Sequence, residues 1–209
     1  MTKVAVLDYG MGNLHSVAKA LESVGADKVW VTNDPERIAE ADRLVLPGQG
    51  AMRDCMAAMT AEGIDQAVRQ ALHCKPLLGI CVGMQALLGF SEENGGVHGL
   101  GVFPGTVRFF GTQQDSESRA LKVPHMGWNE VWQTSHPVWD HIPDGSRFYF
   151  VHSYYCAPED SSIAIGQTEY GLKYCSALAQ EHVVAVQFHP EKSARHGLQL
   201  LANFLRWNP

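Results

Sequence analysis

Residues 79–83 read Gly-Ile-Cys-Val-Gly. A cysteine at this spacing between two glycines fits a strand-to-helix elbow, a sharp turn that pushes its central side chain into the open. Free N–H groups and the dipole at the start of the following helix favour a nucleophilic thiolate at Cys81. A base for that thiol is available in Val186-Gln187-Phe188-His189-Pro190-Glu191. Histidine suits such a role at neutral pH, and Glu191 could hold the other imidazole N–H of His189. Acyl transfer also needs donors for an oxyanion. The N–H of Val82 is one candidate, and Pro47-Gly48-Gln49-Gly50 offers others at Gln49 and Gly50. Gln85, one helical turn beyond Cys81, could hydrogen-bond a substrate amide. Each feature also has a plainer reading: a small buried cysteine, a solvated strand end, an ordinary turn and an exposed helix glutamine. Cys81, His189 and Glu191 could also be three ligands of a zinc site, although no closely spaced second Cys or His supports it.

Positioning these groups takes alternating strands and helices. Val4-Ala5-Val6-Leu7, Val29-Trp30-Val31, Arg43-Leu44-Val45-Leu46 and Leu77-Leu78-Gly79-Ile80 read as short buried strands. Helical spacing between them places Leu14, Val17, Ala18, Leu21 and Val24 on one face, and Asp34-Pro35 is a helix start. Further helices are expected from about 51 to 72. After Cys81, Met84, Leu87 and Leu88 share a helical face. The loop Gly10-Met11-Gly12-Asn13 follows the first strand, but His15 stands where a dinucleotide fingerprint needs its third glycine. A tight β–α turn is the better reading.

Beyond residue 99 the texture is β-rich. Strands are expected at 105–110, 120–123, 128–132, 148–151, 162–168, 173–179 and 183–188, with a polar stretch at 112–119. A last helix from Ser193 would place Leu198, Leu201 and Leu205 on one face. The expected architecture is one α/β domain over 1–209. It has a flavodoxin-like, mostly parallel central sheet, helices on both faces and added antiparallel strands in the C-terminal half.

The formal net charge is −6, with no basic cluster, which argues against nucleic acid as a partner. Cys55, Cys74, Cys81, Cys156 and Cys175 are odd in number and lack framework spacing, as expected in a reducing compartment. The first strand starts at once, and neither a signal peptide nor a membrane span is expected. A cytoplasmic protein without a metal or other cofactor is the resulting expectation.

The segments Gly79–Gln85 and Phe188–Glu191 resemble the class I (triad) glutamine amidotransferases. Within that class the chain is similar to the glutaminase subunits of imidazole glycerol phosphate synthases. That narrower match runs through Pro124-His125-Met126-Gly127-Trp128-Asn129, Tyr149–Tyr154, Asp8-Tyr9-Gly10, Gly12-Asn13-Leu14 and Pro190-Glu191-Lys192-Ser193. The resemblance implies Cys81 as nucleophile, His189 as base and acid, and Glu191 as its orienter. It also implies that Gln85 and the backbone at His152, Ser153 and Tyr154 hold L-glutamine. The implied partner is a cyclase subunit, a separate (β/α)8 barrel of ~250 residues for which 209 residues leave no room, giving a heterodimer. Lys192 and Asn13 would then lie at the partner interface and ammonia gate. One departure is Gln49, where the family usually has valine. Rival readings are an amidotransferase subunit serving another synthase, a non-catalytic thiol sensor on the same fold, and a stand-alone cysteine hydrolase.

Overall fold

The computed structural model describes residues 1–112 and 121–209. Most of the expected polar stretch at 112–119, and residue 120, lie outside the described residues.

Five strands form the parallel heart of the sheet: β1 (Lys3–Leu7), β2 (Lys28–Thr32), β3 (Arg43–Gly48), β4 (Leu77–Cys81) and a late strand, Val183–Val186. Their order, 2-1-3-4 followed by the late strand, is the flavodoxin-like doubly wound order. Burial on both faces explains why Val4–Leu7, Leu44–Leu46, Leu77–Cys81 and Val183–Val186 are apolar runs without alternation. The crossover helices are α1 (Leu14–Ser23), α2 (Pro35–Glu40), α3 (Met52–Ala61) and α4 (Ile64–Ala71). Asp34 caps α2 by accepting the Glu36 N–H, as the Asp-Pro signal predicts.

The helix after Cys81 is shorter than its periodicity suggests. It runs only Val82–Ala86 (α5), and Leu88 already belongs to β5 (Leu88–Ser91). The cause is non-local. The N–H groups of Leu100, Gly101, Val102 and Phe103 bind the carbonyls of Ala86, Leu88, Leu87 and Leu87, which a longer helix would need for itself. Gly99 permits this approach, since a Cβ there would lie 2.1 Å from the Leu88 carbonyl oxygen.

The second half is β6 (Val97–His98), β7 (Phe103–Phe109), β8 (His125–Gln133), β9 (Ser146–His152), β10 (Tyr154–Pro158), β11 (Ala164–Tyr170), β12 (Leu172–Gln180) and the late strand, now β13. Through the antiparallel β12, β13 joins this half to the parallel core. The expected strand at 120–123 is not formed over 121–123, whereas β8 starts three residues earlier than expected. Sequence reasoning does not find β10, which pairs with β7 and, at Cys156, with Cys175 of β12. In α6 (Ala194–Arg206) the buried face is Gly197, Leu200, Leu201, Phe204 and Leu205. Leu198 is exposed instead, because α6 lies against α1 and the turn at 190–192 through the stripe that begins at Gly197.

The tightest packing is at the elbow. A Cβ on Gly83 would sit 1.9 Å from the Leu46 carbonyl oxygen, and one on Gly48 would sit 2.7 Å from the Gly83 nitrogen. We therefore expect Gly83→Ala to cost at least about 2 kcal/mol, as overpacking against fixed backbone does. Urea unfolding of the variant, with an unchanged midpoint as the contrary result, checks it.

Candidate active site

Cys81 ends β4 with φ 55° and ψ −111°, a positive-φ conformation that a non-glycine residue adopts only where its surroundings impose it. Here the imposition is the register of β3 and β4, which sets Gly48 opposite Cys81, together with the glycine contacts above. Because α5 is five residues long, it offers Cys81 free N–H groups, among them that of Val82, rather than the dipole of a long helix.

His189 leaves the end of β13 and is clamped from three directions. Its N–H donates to the Tyr149 carbonyl at 2.9 Å. Its own carbonyl accepts from the Ser193 hydroxyl at 2.6 Å, and that hydroxyl accepts the Tyr149 N–H at 2.9 Å. Nδ1 of the ring lies 2.9 Å from Glu191 Oε1, with both side chains buried. Cys81 lines the same cleft as the ring and is near enough to act on its charge. Burial alone would lower the His189 pKa, but hydrogen bonds and charge from Cys81 and Glu191 outweigh it and raise the pKa well above the ordinary value. The imidazole of His189 thus stands between the Cys81 thiol and the Glu191 carboxylate. They do not converge on a common centre, and among the described residues no group of three or more His, Cys, Asp or Glu is arranged to hold a metal ion. Glu191 Oε2 is buried without a partner among the described residues, while Oε1 also accepts from Asn13 Nδ2 at 3.4 Å. Asn13, half-buried, thus places its amide on the carboxylate.

A cleft of about 420 Å³ opens over these groups. It is lined by Gln49, Gly50, Cys81, Val82, Gln85, His152, Ser153, Tyr154, His189 and Lys192, so it gathers all but two of the residues singled out from the sequence. Glu191 and Asn13 stand behind it. Tyr149, Val151, Pro124 and Glu93 also line it. Glu93 has no sequence signal beyond its proximity to the elbow, and its Oε2 accepts the Met52 N–H at 2.7 Å. Gln85 is buried rather than exposed, and its Nε2 donates to the Tyr154 carbonyl and to Gln187 Oε1, both at 3.1 Å. Lys192 is exposed and has no ion pair among the described residues.

Behind the 152–154 segment lies a buried polar cluster. His152 Nδ1 donates to the Tyr154 carbonyl at 2.7 Å, which leaves Nε2 as an acceptor. His125 Nδ1 donates to that atom at 3.1 Å, and His125 Nε2 accepts from Asn129 Nδ2 at 3.2 Å. The Tyr174 hydroxyl lies 3.2 Å from His152 Nε2. Each imidazole therefore has one donor and one acceptor nitrogen in use, and both are neutral. Burial pushes the His125 pKa down to about 4 and the His152 pKa down to about 3. His152, whose ring is committed to this cluster, is not free to serve Cys81.

The family model for class-I glutamine amidotransferases matches residues 5–207. The chain is 60% identical to "Imidazole glycerol phosphate synthase subunit HisH" of Pseudomonas putida, over 100% of this chain and 99% of that one. It is 59% identical to the protein of the same name from Acinetobacter baylyi, over the full length of both. Among solved structures, a glutamine amidotransferase superposes with a TM-score of 0.72 at 18% identity, covering 97% of both chains. A chain of PurLQS from Thermotoga maritima gives 0.67 at 18% identity, covering 98% of both. At such identities the structural matches speak to fold alone.

The two neutral histidines have a consequence for stability. Between their folded values and the ordinary 6.5, the unfolded chain binds protons that the folded chain refuses. Their contribution is therefore fully present above about 6.5 and is lost as pH falls toward 4. His125→Gln, which can keep a donor and an acceptor, should lose stability less steeply across that window. Unfolding free energies at several pH values decide the point, and equal slopes for both proteins would contradict it.

Proposed function

The chain belongs to the class-I glutamine amidotransferases, and on that premise we propose that it is the glutaminase subunit of an imidazole glycerol phosphate synthase in histidine biosynthesis. The observation that carries this reading is the buried His189–Glu191 pair beside Cys81, with Cys81 and His189 lining one cleft and Glu191 behind it. The full-length identity to relatives bearing that subunit's name selects among amidotransferases.

The reaction begins when the Cys81 thiolate attacks the side-chain amide carbon of L-glutamine. Backbone N–H groups of Val82 and of the Gln49–Gly50 segment stabilise the oxyanion of the tetrahedral intermediate. The imidazolium of His189 protonates the departing nitrogen, and ammonia leaves with the C–N electron pair. His189, now neutral, takes a proton from water as that water attacks the γ-glutamyl thioester. Collapse releases glutamate, and the thiolate–imidazolium pair is restored. Glu191 holds Nδ1–H, fixing the tautomer and supporting the imidazolium. Gln85 and the backbone of His152, Ser153 and Tyr154 bind the substrate. Glu93 is the carboxylate placed to receive its α-ammonium group.

Free ammonia is protonated and diluted in water, so the product is delivered to a cyclase subunit in the same complex. That partner is a (β/α)8 barrel, and the heterodimer acts in the cytoplasm to make imidazole glycerol phosphate and AICAR ribonucleotide. Lys192, exposed at the cleft, faces the partner and pairs with an acidic residue there. An exposed pair contributes only about 0–1 kcal/mol, so its role is in coupling rather than assembly.

In the assembled complex, Cys81→Ala should abolish glutamine-dependent synthesis and leave synthesis from added ammonium salt intact. His189→Ala should lower glutamine turnover by roughly 10²–10⁴-fold, at least as much as Glu191→Gln. Substantial glutamine-dependent synthesis by Cys81→Ala would remove the proposed nucleophile. For Lys192→Ala, product formed per glutamine hydrolysed should fall while the complex still forms; an unchanged ratio would make Lys192 an ordinary surface lysine.

A further inference from the structure

Gln187 lies two residues before His189 and is fully buried, yet the reaction above assigns it nothing. Its backbone N–H continues the pairing to β12 by donating to the Ser176 carbonyl at 2.9 Å. Its side chain reaches Cys81, with Nε2 3.8 Å from the sulfur, a hydrogen-bonding distance for an acceptor of that size. The direction of this amide follows from its neighbours. The Tyr154 carbonyl can only accept, so the group that Gln85 turns toward it must be Nε2. The second N–H of that nitrogen goes to Gln187 Oε1 at 3.1 Å. With its oxygen taken, Gln187 presents its own NH2 to Cys81. A chain of donors therefore runs from the 152–154 segment to the nucleophile, independently of His189.

We propose that Gln187 is a positioning residue that holds the Cys81 sulfur as an attacking thiolate by donating an N–H to it, and ties that sulfur to the side of the cleft formed by Gln85 and Tyr154. A hydrogen bond to an ionised sulfur is stronger than one to a thiol, so the donor favours the charged form. It also restrains the side chain of a residue whose backbone is already strained. As sulfur acylates it loses charge, and this hydrogen bond weakens. The inference rests on Cys81 being the reactive group.

The test is the rate at which iodoacetamide alkylates Cys81 at neutral pH, read by mass spectrometry of the Cys81 peptide. Cys74, the one exposed cysteine, serves as internal standard in the same sample. Gln187→Met keeps the volume and removes the amide. Gln187→Glu keeps an acceptor for Gln85 but sets a carboxylate against the thiolate. Both should alkylate at Cys81 about tenfold more slowly or worse, the size expected for losing a hydrogen bond to a charged group. Ammonia-dependent synthesis in the complex should be unchanged. A purely structural role predicts otherwise: Gln187→Glu would behave as the native chain, because the Gln85 contact survives. Native-rate alkylation of either folded variant overturns the inference. If Gln187→Met fails to fold, Gln187→Glu alone carries the decision. Failure here would leave the Cys81 reading standing, since that reading falls only if Cys81→Ala retains glutamine-dependent synthesis.

Discussion

The carbonyl of Leu46 in β3 occupies the space where any side chain at position 83 would begin. That contact fixes how closely the elbow after β4 can lie on its neighbour, and the rest of the site is arranged around it. It requires glycine at 48 and 83 and holds Cys81 at positive φ. It sets the Pro47–Gly50 loop beside the sulfur through the β3–β4 register. On the other side of β4 the parallel pairing with β13 delivers the chain that carries Gln187 and His189 to the same sulfur. The proposed nucleophile, its proposed base and the candidate oxyanion donors thus come from three neighbouring strands of one sheet.

Electrostatics at this edge works by contrast between two kinds of histidine. His189, clamped between a thiol and a buried carboxylate, favours its charged form despite burial. His125 and His152, a short distance behind, have no carboxylate partner among the described residues and are held neutral with both nitrogens of each ring in use. One kind of residue therefore supplies a proton carrier and a rigid support, and the neighbours decide which. The support matters to the cleft because His152 and Gln85 both donate to the Tyr154 carbonyl, fixing the wall opposite Cys81.

Signals carried within a few residues of chain are legible in the sequence alone. The strand runs at 4–7, 44–46 and 77–80, the Asp34-Pro35 start and the Gly-x-Cys-x-Gly turn all depend on local sterics or on burial on both faces. Features that escape such a reading depend on partners far along the chain. The stop after Ala86 is imposed by residues 99–103, and β10 exists because β7 and β12 flank it. The buried face of α6 is set by what it rests on, which is why Leu198 points to solvent despite its helical spacing. In the site, Cys81, His189 and Glu191 stand out by type and spacing. Gln187, Ser193 and Glu93 do not, because a glutamine in a strand, a serine after a turn and a glutamate in a loop have many ordinary uses. Their contacts with Cys81, His189 and the cleft become visible only in three dimensions.

On the proposed mechanism glutamine is carried covalently on one cysteine of five. Acid quenching during turnover with isotopically labelled glutamine, followed by mass spectrometry of every cysteine peptide, addresses it directly. The γ-glutamyl label should be found on the Cys81 peptide alone, with none on the peptides of Cys55, Cys74, Cys156 or Cys175. Label on any of those four, or ongoing turnover with no label on Cys81, would rule out Cys81 as the sole carrier.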